Sequence, residues 1–160
     1  MKRCGRLRVF NHSGNEVTNT SLISSAGFSG AQVYNDKLFA MVADNTKQEI
    51  IQVFHLPSLD YDQSLIIEEK SHLGLPMSFD IGANEISVAF ESGDVISWSL
   101  SKMTFLTKEN YSEHTLTHIA TNDKAFYVHD CKGTIKRYFD GERTAVKEYR
   151  LRNICVKNNG

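Results

Sequence analysis

Ala89-Phe90-Glu91-Ser92-Gly93-Asp94-Val95-Ile96-Ser97-Trp98-Ser99-Leu100 decides how the rest of the chain is read. An apolar run, a polar turn containing glycine, and a second β-rich run ending in an aromatic residue make a hairpin. The ending recurs at Leu7-Arg8-Val9-Phe10, Ile51-Gln52-Val53-Phe54 and Ile135-Lys136-Arg137-Tyr138, so the aromatic positions Phe10, Phe54, Trp98 and Tyr138 are separated by 44, 44 and 40 residues. Three of the four runs follow a glycine, at Gly5, Gly93 and Gly133, and Gln48-Glu49 holds that place in the other. A period of a few tens of residues is the mark of a repeat architecture and outranks any local assignment.

Each hairpin is flanked by further β-like runs. Lys37 to Ala43, Glu85 to Phe90 and Lys124 to His129 supply the first arm, joined to the second by Asp44-Asn45-Thr46, Glu91-Ser92-Gly93-Asp94 and Asp130-Cys131-Lys132-Gly133. Apolar segments precede them at Ala31 to Tyr34, Pro76 to Ile81 and Thr115 to Ala120, and others follow at Ser64 to Ile67, Met103 to Thr107 and Ala145 to Leu151. Every period therefore holds about four short strands, and no window keeps apolar residues at helical spacing. Leu7, Ile51, Val95 and Ile135 are expected to face a packed interior, with the four aromatics in equivalent places between sheets.

Four antiparallel strands in some forty residues, repeated, match a β-propeller blade. On these residues the chain resembles the WD-repeat family. Ala89 to Leu100 is similar to that family's second and third strands ending at the signature tryptophan, and Gly133-Thr134-Ile135 resembles its turn. His72 and His114, 26 and 24 residues before Trp98 and Tyr138, stand where the family's Gly-His pair begins a repeat. No repeat has an aspartate after its aromatic, the residues there being Asn11, His55, Ser99 and Phe139, and no Gly-His dipeptide exists. The resemblance thus implies a degenerate propeller held by strand pairing and sheet packing, with an incomplete side-chain network.

The expected fold is all-β and propeller-like, about three four-stranded antiparallel blades plus part of another. Residues 1–24 read as the partial blade, 25–70, 71–110 and 111–150 as blades, and 151–157 as a possible extra strand. At this period, 160 residues fall short of the four to eight blades of most propellers. The chain is expected to be a piece of a longer propeller or to supply blades to a partner's ring, to close alone as a small four-bladed ring, or to form a homodimeric ring.

Composition limits the alternatives. With 41% hydrophobic and 23% charged residues in 160, the chain can bury one ordinary core and is not a disordered tail. Three cysteines, Cys4, Cys131 and Cys155, suit reduced thiols of an intracellular protein better than a disulfide framework; cytoplasm or nucleus is the expected location. No window approaches eighteen consecutive apolar residues, and the basic start lacks the apolar stretch of a signal peptide.

The net charge is -1, but residues 1–10 carry four basic and no acidic side chains, residues 124–160 nine and four, and the span between them five and fifteen. Arg3, Arg6, Arg8, Arg143, Lys147, Arg150 and Arg152 are the candidate partner-binding residues. They suit an acidic partner edge and disfavour contact of one copy's basic start with another's basic end. Together with Lys2, Lys136, Arg137 and Lys157, and with Tyr138, Phe139 and Tyr149 as stacking surfaces, they also sketch a nucleic-acid-binding edge, against which a pI near 6.6 argues.

Catalytic and metal constellations are weak. His114 and His118 have the spacing of a helical zinc pair, but on a strand they would lie about 13 Å apart. His129 and Cys131 sit at a turn without a second ligand pair. Ser99-Leu100-Ser101-Lys102 copies an acylase spacing without the accompanying motifs, and Glu68-Glu69 and Asp60-x-Asp62 read as solvated turn charge rather than a catalytic dyad. No cofactor, metal or catalytic residue is expected. The family resemblance implies a non-catalytic scaffold or adaptor subunit of a multiprotein complex, with hydrolysis in a propeller's central channel as the enzymatic alternative.

Overall fold

The computed structural model describes residues 6–21, 28–42, 48–68, 72–122, 125–139 and 147–150. These residues form strands and turns, with no helix among them. β1 (Arg6–Phe10) and β2 (Glu16–Ser21) make a two-stranded sheet. β3 (Phe28–Tyr34), β4 (Lys37–Val42), β5 (Glu49–His55) and β6 (Tyr61–Ile66) make the first four-stranded sheet. β7 (Pro76–Ile81), β8 (Glu85–Phe90), β9 (Asp94–Ser99) and β10 (Phe105–Asn110) make the second, and β11 (Leu116–Thr121), β12 (Ala125–Asp130), β13 (Thr134–Phe139) and β14 (Lys147–Arg150) the third. Every pairing is antiparallel and joins strands consecutive in the chain. The stretch 151–157 and the whole of the loop Asp44-Asn45-Thr46-Lys47 lie outside the described residues.

Register places the recurring aromatics in one environment. Phe54 pairs with Leu38, Trp98 with Ile86 and Tyr138 with Phe126, each between the second and third strands of its sheet. Paired residues share a face, and alternation sends their neighbours to the other. Phe54 packs with Ala40 and Leu59 against Leu7 and Val9 of the two-stranded sheet. Trp98 joins Ile86, Val88, Phe90 and Ile96 against Phe39, Met41, Ile51, Val53 and Leu65 of the first four-stranded sheet. Tyr138, with Leu116, Ile119 and Val128, meets Ala89 and Val95 of the second. Each aromatic thus points back at the preceding sheet.

Phe10 departs from the expectation that it lies packed between sheets: it is 54% exposed. Leu7 and Val9 use the opposite face of β1 to cover Phe54, so Phe10 points to the side where no described sheet precedes it. The aliphatic set divides for the same reason. Ile51 and Val95 are buried beneath a following sheet, whereas Ile135, on the forward face of the last one, is only half-buried. Burial here belongs to the neighbouring sheet as much as to the residue.

The turn between β8 and β9 depends on Gly93, whose φ is +87°, with its N–H bonded to the Phe90 carbonyl at 3.1 Å. Gly133, at φ +78°, repeats this between β12 and β13, donating to the Asp130 carbonyl at 3.0 Å. A three-residue loop with glycine in the left-handed region is a standard hairpin connection.

Side chains tie the innermost strands across three sheets. Gln32 Nε2 on β3 donates to Phe79 O and Asp80 Oδ1 on β7, each at 3.0 Å. Asp80 Oδ2 accepts from the backbone N–H of Thr121 on β11 at 2.6 Å and from its hydroxyl at 3.0 Å. One carboxylate therefore links three consecutive sheets. Asp80→Ala removes the acceptor of the Thr121 N–H and hydroxyl and leaves Gln32 Nε2 with Phe79 O alone, and is expected to cost about 2–4 kcal/mol, measured by urea unfolding, with Asp80→Asn recovering part of the loss.

Candidate functional site

The stack ends on two sheet faces that no described residue packs against as a sheet. On β1–β2 the outer face carries Arg8, Phe10, Glu16 and Asn19, since Phe10 pairs with Glu16 and Arg8 with Asn19. Glu16 holds this cluster together: its Oε2 is 3.6 Å from Arg8 Nη1, and its Oε1 accepts from Asn19 Nδ2 at 2.5 Å. The forward face of the last sheet carries Tyr127, His129, Ile135, Arg137 and Phe139, with Tyr127 opposite Arg137 and His129 opposite Ile135. The Arg137 guanidinium lies 4.6 Å from the Phe139 ring centroid and 5.9 Å from that of Tyr127, a cation–π arrangement. Its Nε is buried without a hydrogen-bond partner, as is Nε2 of His129, whose Nδ1 contacts the Thr117 hydroxyl at 2.8 Å. Both nitrogens are inaccessible within the sheet, so what this face presents is its half-covered aliphatic and aromatic surface.

A groove of about 590 Å³ opens between the first and second four-stranded sheets. Its apolar lining includes Ile66, Ile67, Trp98, Met103 and Phe105, while Lys108 and His72, hydrogen-bonded to each other, stand with Glu68 among the polar lining residues. A second, polar hollow of about 420 Å³ lies among Tyr111, Ser112, Glu113, His114, Lys136 and Asp130. Burial pushes the Tyr111 phenol up, helped by its hydrogen bond to Glu109. Tyr111 therefore stays neutral, its ring edge-on to Tyr138 at 4.7 Å and to Phe126 at 5.0 Å.

Asp130 in that hollow is structural. Its Oδ1 accepts from the backbone N–H groups of Lys132 and Thr134, each at 2.9 Å, and Oδ2 from the Ser112 hydroxyl at 3.4 Å. Burial, the largest single influence, raises its pKa, but these bonds and nearby His114 together outweigh it and leave the group below its ordinary value. The carboxylate thereby ties the β12–β13 turn to the connection entering its sheet. In the second sheet the equivalent position is Phe90, fully buried, and the tie is made by Glu91, which accepts from Leu75 N–H at 2.8 Å. Because folding depresses the Asp130 pKa, its stabilisation is present above the unfolded value near ~3.9 and is lost as pH falls through the folded value. Asp130→Asn should cost about 1–3 kcal/mol near neutral pH, a difference that narrows below that unfolded value in chemical denaturation followed across pH.

The structure separates the residues singled out in the sequence. Arg3, Arg143 and Arg152 lie outside the described residues. Arg6 is in β1 and Lys147 and Arg150 in β14, at opposite ends of the stack, and Arg8 is exposed beside Glu16. His114 precedes β11 and His118 lies within it; the latter ring neighbours His129 at 5.8 Å. Among the described residues no group of three His, Cys, Asp or Glu side chains could hold a metal ion. Ser99 Oγ accepts the backbone N–H of Lys102 at 3.3 Å, a turn rather than a nucleophile–lysine pair. Asp62 accepts from Lys37 Nζ at 2.7 Å, which holds its carboxyl below the usual range, so it forms an ion pair and not a dyad with Asp60. The sequence reading missed Asp80, Asp130 as a tie, and the unpaired nitrogens of Arg137 and His129, whose meaning depends on neighbours distant in the chain.

Stacked four-stranded meanders with inner strands side by side define an all-β, propeller-like protein, three such sheets with a two-stranded part of another. No protein-family model matches the sequence, and neither does any curated protein. The structure is similar to that of U3-55K, a WD40 β-propeller protein, with a TM-score of 0.72 at 9% sequence identity over 93% of this chain and 46% of that one. The chain thus spans about half the length of the protein it matches. At that identity the likeness is one of fold.

Proposed function

We propose that this chain is a degenerate WD-repeat-like, non-catalytic scaffold or adaptor subunit of an intracellular multiprotein complex, in the cytoplasm or nucleus. The observation that carries the reading is the stack itself, three four-stranded sheets tied into one body through Asp80, whose edges and turns offer fixed surfaces to other polypeptides. Asp80, the only acid within β3, β7 and β11, has both oxygens engaged in holding sheets together rather than free for a channel-site hydrolysis. The nucleic-acid alternative draws support from the sequence distribution of basic residues alone.

The test is purification of the tagged chain from its own cells after cross-linking. The scaffold reading expects other polypeptides in fixed proportion to the chain, joined through exposed lysines such as Lys102 and Lys132. Recovery of the chain with no other protein overturns it. So does recovery with oligonucleotides whose binding falls steeply with salt, the signature of phosphate contacts.

A further inference from the structure

We propose that the groove between the first and second four-stranded sheets docks a linear segment of another polypeptide, one that carries a bulky apolar anchor beside an acidic residue. Phe105, Ile67 and Met103 receive the anchor and Lys108 takes the carboxylate. The proposal rests on the scaffold reading and names the surface through which the scaffold holds a partner. Its walls come from β6 and β10, both interior to the chain.

The groove exists because β10 is irregular where it would close against the first sheet. Its register on β9 slips after Phe105, which stands opposite Trp98; Thr107 stands opposite Ser97, and Leu106 has no opposite residue. Such a bulge bends the strand and interrupts its pairing. Phe105 shares the face of Trp98, which is turned to the first sheet, yet Trp98 is 2% exposed and Phe105 is 57% exposed. The approach of the two sheets that buries Trp98 therefore stops short at β10.

β6 and β10 are the edge strands of their sheets, away from the inner strands β3 and β7. Ile67, just past β6, and Met103, in the turn before β10, are half-buried on the margin of the Trp98 cluster and line the gap. The opening of about 590 Å³ falls within the range, about 300–1,000 Å³, of ordinary ligand sites. Singly exposed apolar residues are common, but several gathered around one groove mark a contact surface.

Charge selects the occupant. Lys108 pairs across β9 with Ile96 and so lies on the same face as Phe105 and Trp98. An ammonium has donors only, so His72 Nε2 accepts from Lys108 and holds it at the groove. Among the described residues no carboxylate pairs with Lys108; the ion pairs there are Arg8–Glu16, Lys37–Asp62 and His55–Asp62. Glu68 also lines the groove, but among the described residues no hydrogen bond or ion pair fixes its carboxylate. The fixed charge is thus positive. A cation already held beside apolar walls suits an acidic, apolar segment, because less ordering is required on binding.

The probe is a library of short random peptides displayed on phage, panned on the purified chain and counter-selected on its Phe105→Ser variant. The expected survivors share a large apolar residue within a few positions of aspartate or glutamate. In fluorescence anisotropy with a synthetic survivor, Phe105→Ser and Lys108→Glu should each weaken binding about tenfold or more. Lys108→Arg should keep most of the affinity, and Glu68→Gln should raise it. Phe105 and Lys108 are exposed, so each variant should keep the wild-type β circular-dichroism spectrum and urea midpoint. Absence of survivors, survivors without an acid, or binding indifferent to Lys108→Glu overturns the proposal. A photo-reactive amino acid in place of Phe105, activated in cells, separates the occupants. The expected cross-link falls on another polypeptide, at a stretch with the same apolar and acidic pattern. A cross-link to a second copy of this chain, or to another part of the same chain, overturns the proposal. If panning fails while other polypeptides still co-purify with the tagged chain, the scaffold reading stands and uses another surface; if peptides bind the groove but the chain is recovered alone from its cells, the groove stands and the scaffold reading falls.

Discussion

Trp98→Ala is expected to destabilise the fold by about 3–5 kcal/mol, the range for removing a fully buried large aromatic from a packed interior. Trp98 is 2% exposed and lies in the largest buried cluster, where the second four-stranded sheet meets the first. A small domain has about 5–15 kcal/mol in total, so the variant should sit close to unfolding. Urea denaturation should show the midpoint falling by a large fraction of its wild-type value. Trp98→Phe, which keeps the ring and loses part of the volume, should keep most of the stability. If Trp98→Ala lost under 1 kcal/mol, the two sheets would not be packed through this residue.

Gly93→Ala should be nearly as damaging, by about 3 kcal/mol or more, for two separable reasons. The φ of +87° disfavours any residue with a Cβ, which alone is worth about 1–2 kcal/mol. A Cβ built there would also lie 1.8 Å from the Ser112 carbonyl oxygen, backbone that must move for it to fit. Moving it strains the β10–β11 connection, where Tyr111 N–H donates to Gly93 O at 3.0 Å. Gly14→Ala is the matched control: its φ is +80° and nothing lies within 4 Å of its added Cβ, so it should show the conformational part alone. The difference between the two variants in thermal or urea unfolding isolates the close approach.

Much of this arrangement was legible in the spacing of the aromatics and the glycine turns. β7 and β8 match their expected spans residue for residue, and Phe54, Trp98 and Tyr138 occupy equivalent positions because a repeat in sequence is a repeat in register. β2 was not expected as a strand, for Glu16-Val17-Thr18-Asn19-Thr20-Ser21 offers little to bury and is a strand through its pairing with β1. Ser87 and Ser97 are polar residues within largely apolar strands, yet both are buried and their hydroxyls bond at 2.8 Å. Asp80 was invisible as a tie because Gln32 and Thr121 lie more than forty residues away in either direction. The end faces were legible only in part: the spacing placed Phe10 in the series, but its exposure depends on which sheet precedes it.

The most direct test of the central claim, that these hairpins are copies of one sheet unit stacked face to face, is a methyl–aromatic nuclear Overhauser spectrum of the folded chain. Cross-peaks from the Trp98 ring should reach methyl groups of the first four-stranded sheet, among Ile51, Val53 and Leu65, and those from Tyr138 should reach Val95 and Ala89 of the second. Rings whose cross-peaks stayed within their own sheets, or reached the sheets in another order, would contradict the stack and every reading built on it.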